Sequence, residues 1–162
     1  MATAAEDEKP VNLWPYVVQL NLVYIVATVV VGAIQYVVDL EPNIAIGIGI
    51  LLASAVMPVR KFVLDHHRPF KRREQLRFAL LAFVAVVVVS IALIALATLF
   101  VGGLKDIWSF MNELNATPQE LALAIALVLL FSGVVAFAVL YFAAGMFSRW
   151  YSKSLAEKGK IW

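Results

Sequence analysis

The side chains with chemistry to offer gather in one place. Asp65-His66-His67-Arg68 sets a carboxylate, two imidazoles and a guanidinium in consecutive positions. Such groups can move protons, and imidazole is the commonest metal ligand. The spacing does not favour a shared ion, because adjacent residues on a helix do not face one another. The chain has no Cys and no other His to complete a ligand set. Two readings stand side by side: an acid–base or metal site, and a hydrated turn in which the four residues are solvated. The second is the expectation. The chain also lacks a phosphate loop, a dinucleotide fingerprint and a nucleophile elbow. No catalytic, cofactor or metal residue is assigned, and the protein is expected to be non-enzymatic.

These four residues lie within a longer basic stretch, RKFVLDHHRPFKRREQLR, residues 60–77. It holds Arg60, Lys61, Arg68, Lys71, Arg72, Arg73 and Arg77, seven of the thirteen Lys and Arg, against only Asp65 and Glu74. Beside a membrane these cations would contact anionic headgroups, each contributing roughly 1 kcal/mol near the surface. An acidic face of a partner protein would suit them equally, and a role in setting topology alone is the plainest alternative. Nothing resembles a nucleic-acid recognition fold, so nucleic acid is not an expected partner.

The elements that must carry this stretch are apolar. Hydrophobic residues make up 63% of the 162 and charged residues 15%, where soluble domains have about 45–50% and 25%. The excess sits in four blocks, each reaching the roughly 18 residues a membrane span requires. The reading is an all-α polytopic membrane protein with four transmembrane helices in an antiparallel bundle. The spans are expected at residues 14–38, 43–64, 73–100 and 118–150, within one domain over residues 13–155. An acidic tail, residues 1–12, precedes it and a basic tail, residues 156–162, follows. The first residues carry acids where a signal peptide carries bases, so the first block is expected to remain.

Local signals set the ends. Trp14, Pro15 and Tyr16 open the first span, with Pro tolerated in a first turn and Trp and Tyr favoured at headgroup depth. Asn43 can cap the second, and Pro58 should kink it. Gly102-Gly103 ends the third. Leu104, Ile107, Trp108, Met111 and Leu114 then share one face, which predicts a short interfacial helix at 104–114 between the third and fourth spans. Thr117, Pro118 and Glu120 form a capping box before the fourth.

Two patterns predict helix packing. Asn21, Thr28 and Gln35 recur every seven residues and should face other helices, where amides and hydroxyls bond across the interface. Ala45, Gly49 and Ala53, four apart, form a small-residue ridge that permits close backbone approach in lipid. Ser132, Gly133, Ala136, Ala143 and Gly145 add small contact points in the fourth span.

Charge predicts orientation. Four spans put both tails and the basic stretch on one side, which gathers twelve Lys and Arg, leaving only Lys105 opposite. Positive residues stay cytoplasmic, so both termini are expected there. The first span with Asn21 and Tyr24, the Gly/Ala-rich second span, and Phe62, Arg68, Pro69, Glu74 and Arg77 together resemble a family of small, uncharacterised bacterial inner-membrane proteins with four predicted helices. The likeness covers roughly the first 100 residues. It implies a bacterial inner (plasma) membrane location and brings no activity, substrate or cofactor.

None of the four apolar cores contains Asp, Glu, Lys, Arg or His, the usual marks of proton relays and coupled transport. The functional expectation is an accessory or scaffold subunit. It would sit among membrane lipids and pack against other membrane-protein subunits or its own copies. The alternative is a small oligomeric transporter or channel lined by Asn21, Thr28 and Gln35, although no filter motif is present.

Overall fold

The structure, a computed structural model, describes residues 11–39, 43–101, 117–157 and 159. These residues form four helices: α1 (Trp14–Val38), α2 (Ile44–His66), α3 (Arg72–Val101) and α4 (Pro118–Glu157). Each is long and apolar enough to cross a membrane, so the chain is a multi-pass membrane protein built on a helical bundle. The interfacial helix expected at 104–114 lies outside the described residues, as do residues 1–10 and 160–162.

The helix ends follow from local chemistry. The Trp14 N–H donates to Asn12 Oδ1 at 3.1 Å, and the Ala45 N–H donates to Asn43 Oδ1 at 2.9 Å. Each side chain thus satisfies an amide that the first helical turn leaves without a partner. At α4 the capping box is reciprocal: Glu120 N–H donates to Thr117 Oγ1 at 3.3 Å, and Thr117 N–H to Glu120 Oε2 at 2.9 Å. Helix α2 runs through Pro58, which is fully buried. Helix α4 continues past residue 150 to Glu157. Its 40 residues span about 60 Å, twice the ~30 Å of hydrocarbon, so part of it extends beyond a membrane's apolar layer. Tyr151 and Leu155 on its last turns fold against the core.

The bundle is a ring. α1 packs against α2 and α3, and α4 packs against the same two. The antiparallel neighbours are α1/α2 and α3/α4, while α1/α3 and α2/α4 run parallel. α2 and α3 therefore face each other across the diagonal, although consecutive in the chain. Packed helices lie 8–10 Å apart, which makes that diagonal about 12–14 Å. The five residues His67–Lys71 can reach about 17 Å, enough to cross it.

The core lies at one end. Its buried apolar residues come from the start of α1 (Leu13, Tyr16, Val17, Leu20), the last turns of α2 (Leu51 to Val63), the turn and start of α3 (Phe70 to Val86), and α4 from Leu140 to Ala144. This is the basic end. Toward the far end the described faces open: Tyr36 is 90% exposed, Ile44 82% and Phe131 74%. Lipid tails are as apolar as these side chains, so the open faces incur no hydrophobic penalty within a bilayer.

Candidate functional site

The basic stretch is the candidate site, and an aromatic column organises it. Phe62 on α2 and Phe78 on α3 are fully buried, and Phe70 from the turn folds back between them. Phe70 stacks on Phe62 with ring centres 3.8 Å apart and on Phe78 at 5.3 Å. Tyr16 meets Phe62 edge-on at 5.4 Å. These rings fill the diagonal between α2 and α3. Burying Phe70 also explains how a turn rich in charge holds one shape, since a buried aromatic ring dominates local packing.

Polar groups then close around the column. The Tyr16 hydroxyl donates to Asp65 Oδ2 at 2.8 Å, tying the start of α1 to the end of α2. Arg68 grips Glu74 through two parallel bonds of 2.7 Å, and its guanidinium lies 5.7 Å from the centre of the Phe62 ring. Glu74 Oε2 also accepts from the Lys71 N–H at 2.9 Å, capping α3. One carboxylate thus joins the turn to the helix that follows. A two-pronged Arg–carboxylate pair fixes geometry as well as adding energy.

The histidines part company. His66 stacks on Phe62 at 4.4 Å, with Nδ1 3.1 Å from Phe62 O. His67 ends α2 in the left-handed region, at φ 51°, and is exposed. Among the described residues no group of three or more His, Cys, Asp or Glu is placed to hold a metal ion. The hydrated turn of the sequence reading is corrected in one respect: at His66, Arg68 and Phe70 it is packed.

Of the seven cations, Arg60, Lys61, Lys71, Arg72, Arg73 and Arg77 are exposed, in two groups on the last turns of α2 and the first turns of α3. Arg68 stands apart from them, half-buried against Glu74. Trp14 and Trp150 are exposed at the same end, and exposed aromatics of this kind favour headgroup depth.

The packing residues divide. Asn21 is buried, with Nδ2 donating to Val17 O at 2.9 Å, while Tyr24 and Ser90 share a hydroxyl bond of 3.0 Å between α1 and α3. Thr28 and Gln35 are half-buried. Asn21 Oδ1 and Thr28 Oγ1 are buried without a hydrogen-bond partner among the described residues. Ala45, Gly49 and Ala53 do not pack within the bundle of described residues: all three are exposed, and a Cβ on Gly49 would meet nothing within 4 Å. Close approach occurs instead between α3 and α4. There a Cβ on Gly145 would lie 2.5 Å from Gln75 Nε2, and one on Gly133 3.3 Å from Phe83 Cζ. Gln75 is itself buried and donates to Tyr141 O at 2.8 Å.

Among the described residues, two of the clefts in the walls stand out by volume. One, of about 670 Å³, lies toward the far end, where Ile44 and Gly47 of α2 face Tyr24 of α1 and Phe131 of α4. The other, of about 480 Å³, runs between α1 and α3 from Trp14 and Leu80 to Ile25 and Val89. Both are almost wholly apolar.

Sequence reasoning overlooked Phe70 and Gln75. The signal for the first was present, since Phe62, Phe70 and Phe78 recur at intervals of eight. Gln75 gave none, being one polar residue in a polar run. Comparison of the chain with protein-family models, with curated proteins and with solved structures finds no match in any of the three. The resemblance to small bacterial inner-membrane proteins rests on the residues already named.

Proposed function

We propose that the protein is a non-enzymatic accessory or scaffold subunit of a bacterial inner membrane, with both termini and the basic stretch in the cytoplasm. Its bundle is closed at the cytoplasmic end and completed at the other by a further transmembrane helix, from another subunit or a second copy. The observation that carries this reading is the ridge Ala45-Gly49-Ala53. It has the spacing that lets membrane helices approach closely, yet it faces outward on the open half of the bundle. The absence of Asp, Glu, Lys, Arg and His from the apolar cores supports it as well. So do the exposed cations, which suit an anionic leaflet or an acidic neighbour.

The natural lack of Cys makes the test clean. Single-cysteine variants along residues 44–54 are oxidised in native membranes. Ala45→Cys, Gly49→Cys and Ala53→Cys are expected to crosslink, to one another's copies or to a second protein, with intervening positions silent. Crosslinking without periodicity, or a chain that stays single after oxidation and mild extraction, would count against the proposal. A small oligomeric transporter or channel is the second reading, favoured by the unpartnered acceptors of Asn21 and Thr28 on one face of α1. Solute passage in reconstituted vesicles that is lost on Asn21→Leu or Gln35→Leu would move the conclusion there.

A further inference from the structure

The cleft between α1 and α3 has a mouth, and the mouth is cationic. Val11, Asn12, Leu13 and Trp14 form one side of it, with Arg77, Leu80 and Leu81 on the other. Trp14, Leu80 and Leu81 also line the apolar cleft beneath, so the two spaces adjoin. Arg77 is exposed, and Arg73, one turn earlier on the same face of α3, is exposed too. From Trp14 to Ile25 the cleft follows α1 for about 16 Å. Asn21, the one amide in its wall, keeps its N–H on Val17 O. Its Oδ1 is buried, so the groove is apolar along its length, and a positive charge stands at its top, beside a tryptophan suited to headgroup depth.

We propose that this groove holds an anionic phospholipid, with its phosphate on Arg77 and one acyl chain lying along α1 and α3. An apolar slot alone would accept any chain. The guanidinium at the mouth selects the occupant, because Arg matches phosphate geometry with two parallel bonds. The placement of Arg77 also separates this site from the cations of α2, since Arg60 and Lys61 lie on a helix that does not border the groove. The inference deepens the membrane reading above and is independent of any protein partner.

Trp14 supplies the probe. In a full-length chain with Trp108→Phe, Trp150→Phe and Trp162→Phe, its fluorescence is followed in phosphatidylcholine vesicles. These carry a few mole per cent of either phosphatidylglycerol or phosphatidylcholine brominated on the acyl chains. The expected result is quenching about fivefold stronger by the anionic lipid at equal mole fraction, the effect of one basic residue acting on it. Arg77→Gln should bring the ratio close to one, and Arg60→Gln should leave it in place. Val84→Phe with Val88→Phe fills the groove from positions already facing lipid, 53% and 60% exposed, so the fold should tolerate it. This pair should weaken quenching by the anionic lipid while Arg77 remains. Equal quenching by the two lipids in the parent would overturn the proposal. So would equal loss from Arg77→Gln and Arg60→Gln, the result expected of a diffuse basic rim. Unchanged quenching in the filled groove would overturn it too.

Discussion

Gly145 is a position where the ordinary effect of a substitution should reverse. Alanine in a helix interior is favoured over glycine by about 1 kcal/mol. At residue 145 the new Cβ would fall 2.5 Å from Gln75 Nε2 and 3.0 Å from its Cδ and Oε1. The Gln75 side chain must move, and moving it breaks its 2.8 Å bond to Tyr141 O. Gln75 is only 6% exposed, so its amide is left without a partner, at a cost of about 1–3 kcal/mol. Gly145→Ala should therefore destabilise by about 1 kcal/mol net. In a Gln75→Ala background neither the clash nor the bond remains, and the same substitution should stabilise by up to about 1 kcal/mol. The coupling between the two positions is then about 2 kcal/mol, inside the range for residues in contact. Equilibrium unfolding in mixed detergent micelles, followed by near-UV circular dichroism across the four proteins of the cycle, measures it. A Gly145→Ala effect of the same sign and size in both backgrounds would refute the reasoning.

Arg68→Lys keeps the charge but loses the two-pronged grip on Glu74. It should lower stability by about 1–2 kcal/mol, between the values for exposed and buried pairs, while Arg72→Lys on the exposed face should change it by less than about 0.5 kcal/mol; thermal unfolding in detergent separates them. Tyr16→Phe keeps the ring against Phe62 and removes the bond to Asp65, at a cost of about 0.5–1.5 kcal/mol in the same assay.

The four helices were legible in the sequence because hydrocarbon admits few alternatives: a long apolar run in lipid must satisfy its own backbone, and a helix does so. The capping box was legible for a similar reason, since Thr117 and Glu120 act within one turn. Which faces meet was not. Spacing shows that Ala45, Gly49 and Ala53 permit close approach, but the same spacing cannot say whether the approaching helix belongs to this chain. Within it the close contacts fall at Gly133 and Gly145, which entered the reading only as two small residues among several. The ring order escaped as well, because chain adjacency suggests α2 beside α3, and the Phe62-Phe70-Phe78 column holds them across the diagonal instead. At the basic stretch, composition counted Arg68 among seven cations equally available to headgroups. A turn of five residues brings Glu74 within 2.7 Å of it, a pairing that charge counting cannot reveal.

The central claim is that four helices cross a bilayer with the basic stretch and both tails on one side. Single cysteines at Arg73, Lys105 and Ser152, in an otherwise Cys-free chain, are exposed to a membrane-impermeant maleimide in sealed right-side-out and inverted vesicles. Labelling of Arg73→Cys and Ser152→Cys only in inverted vesicles, and of Lys105→Cys only in right-side-out ones, is the predicted result. Labelling of Arg73→Cys and Ser152→Cys from opposite sides would contradict it.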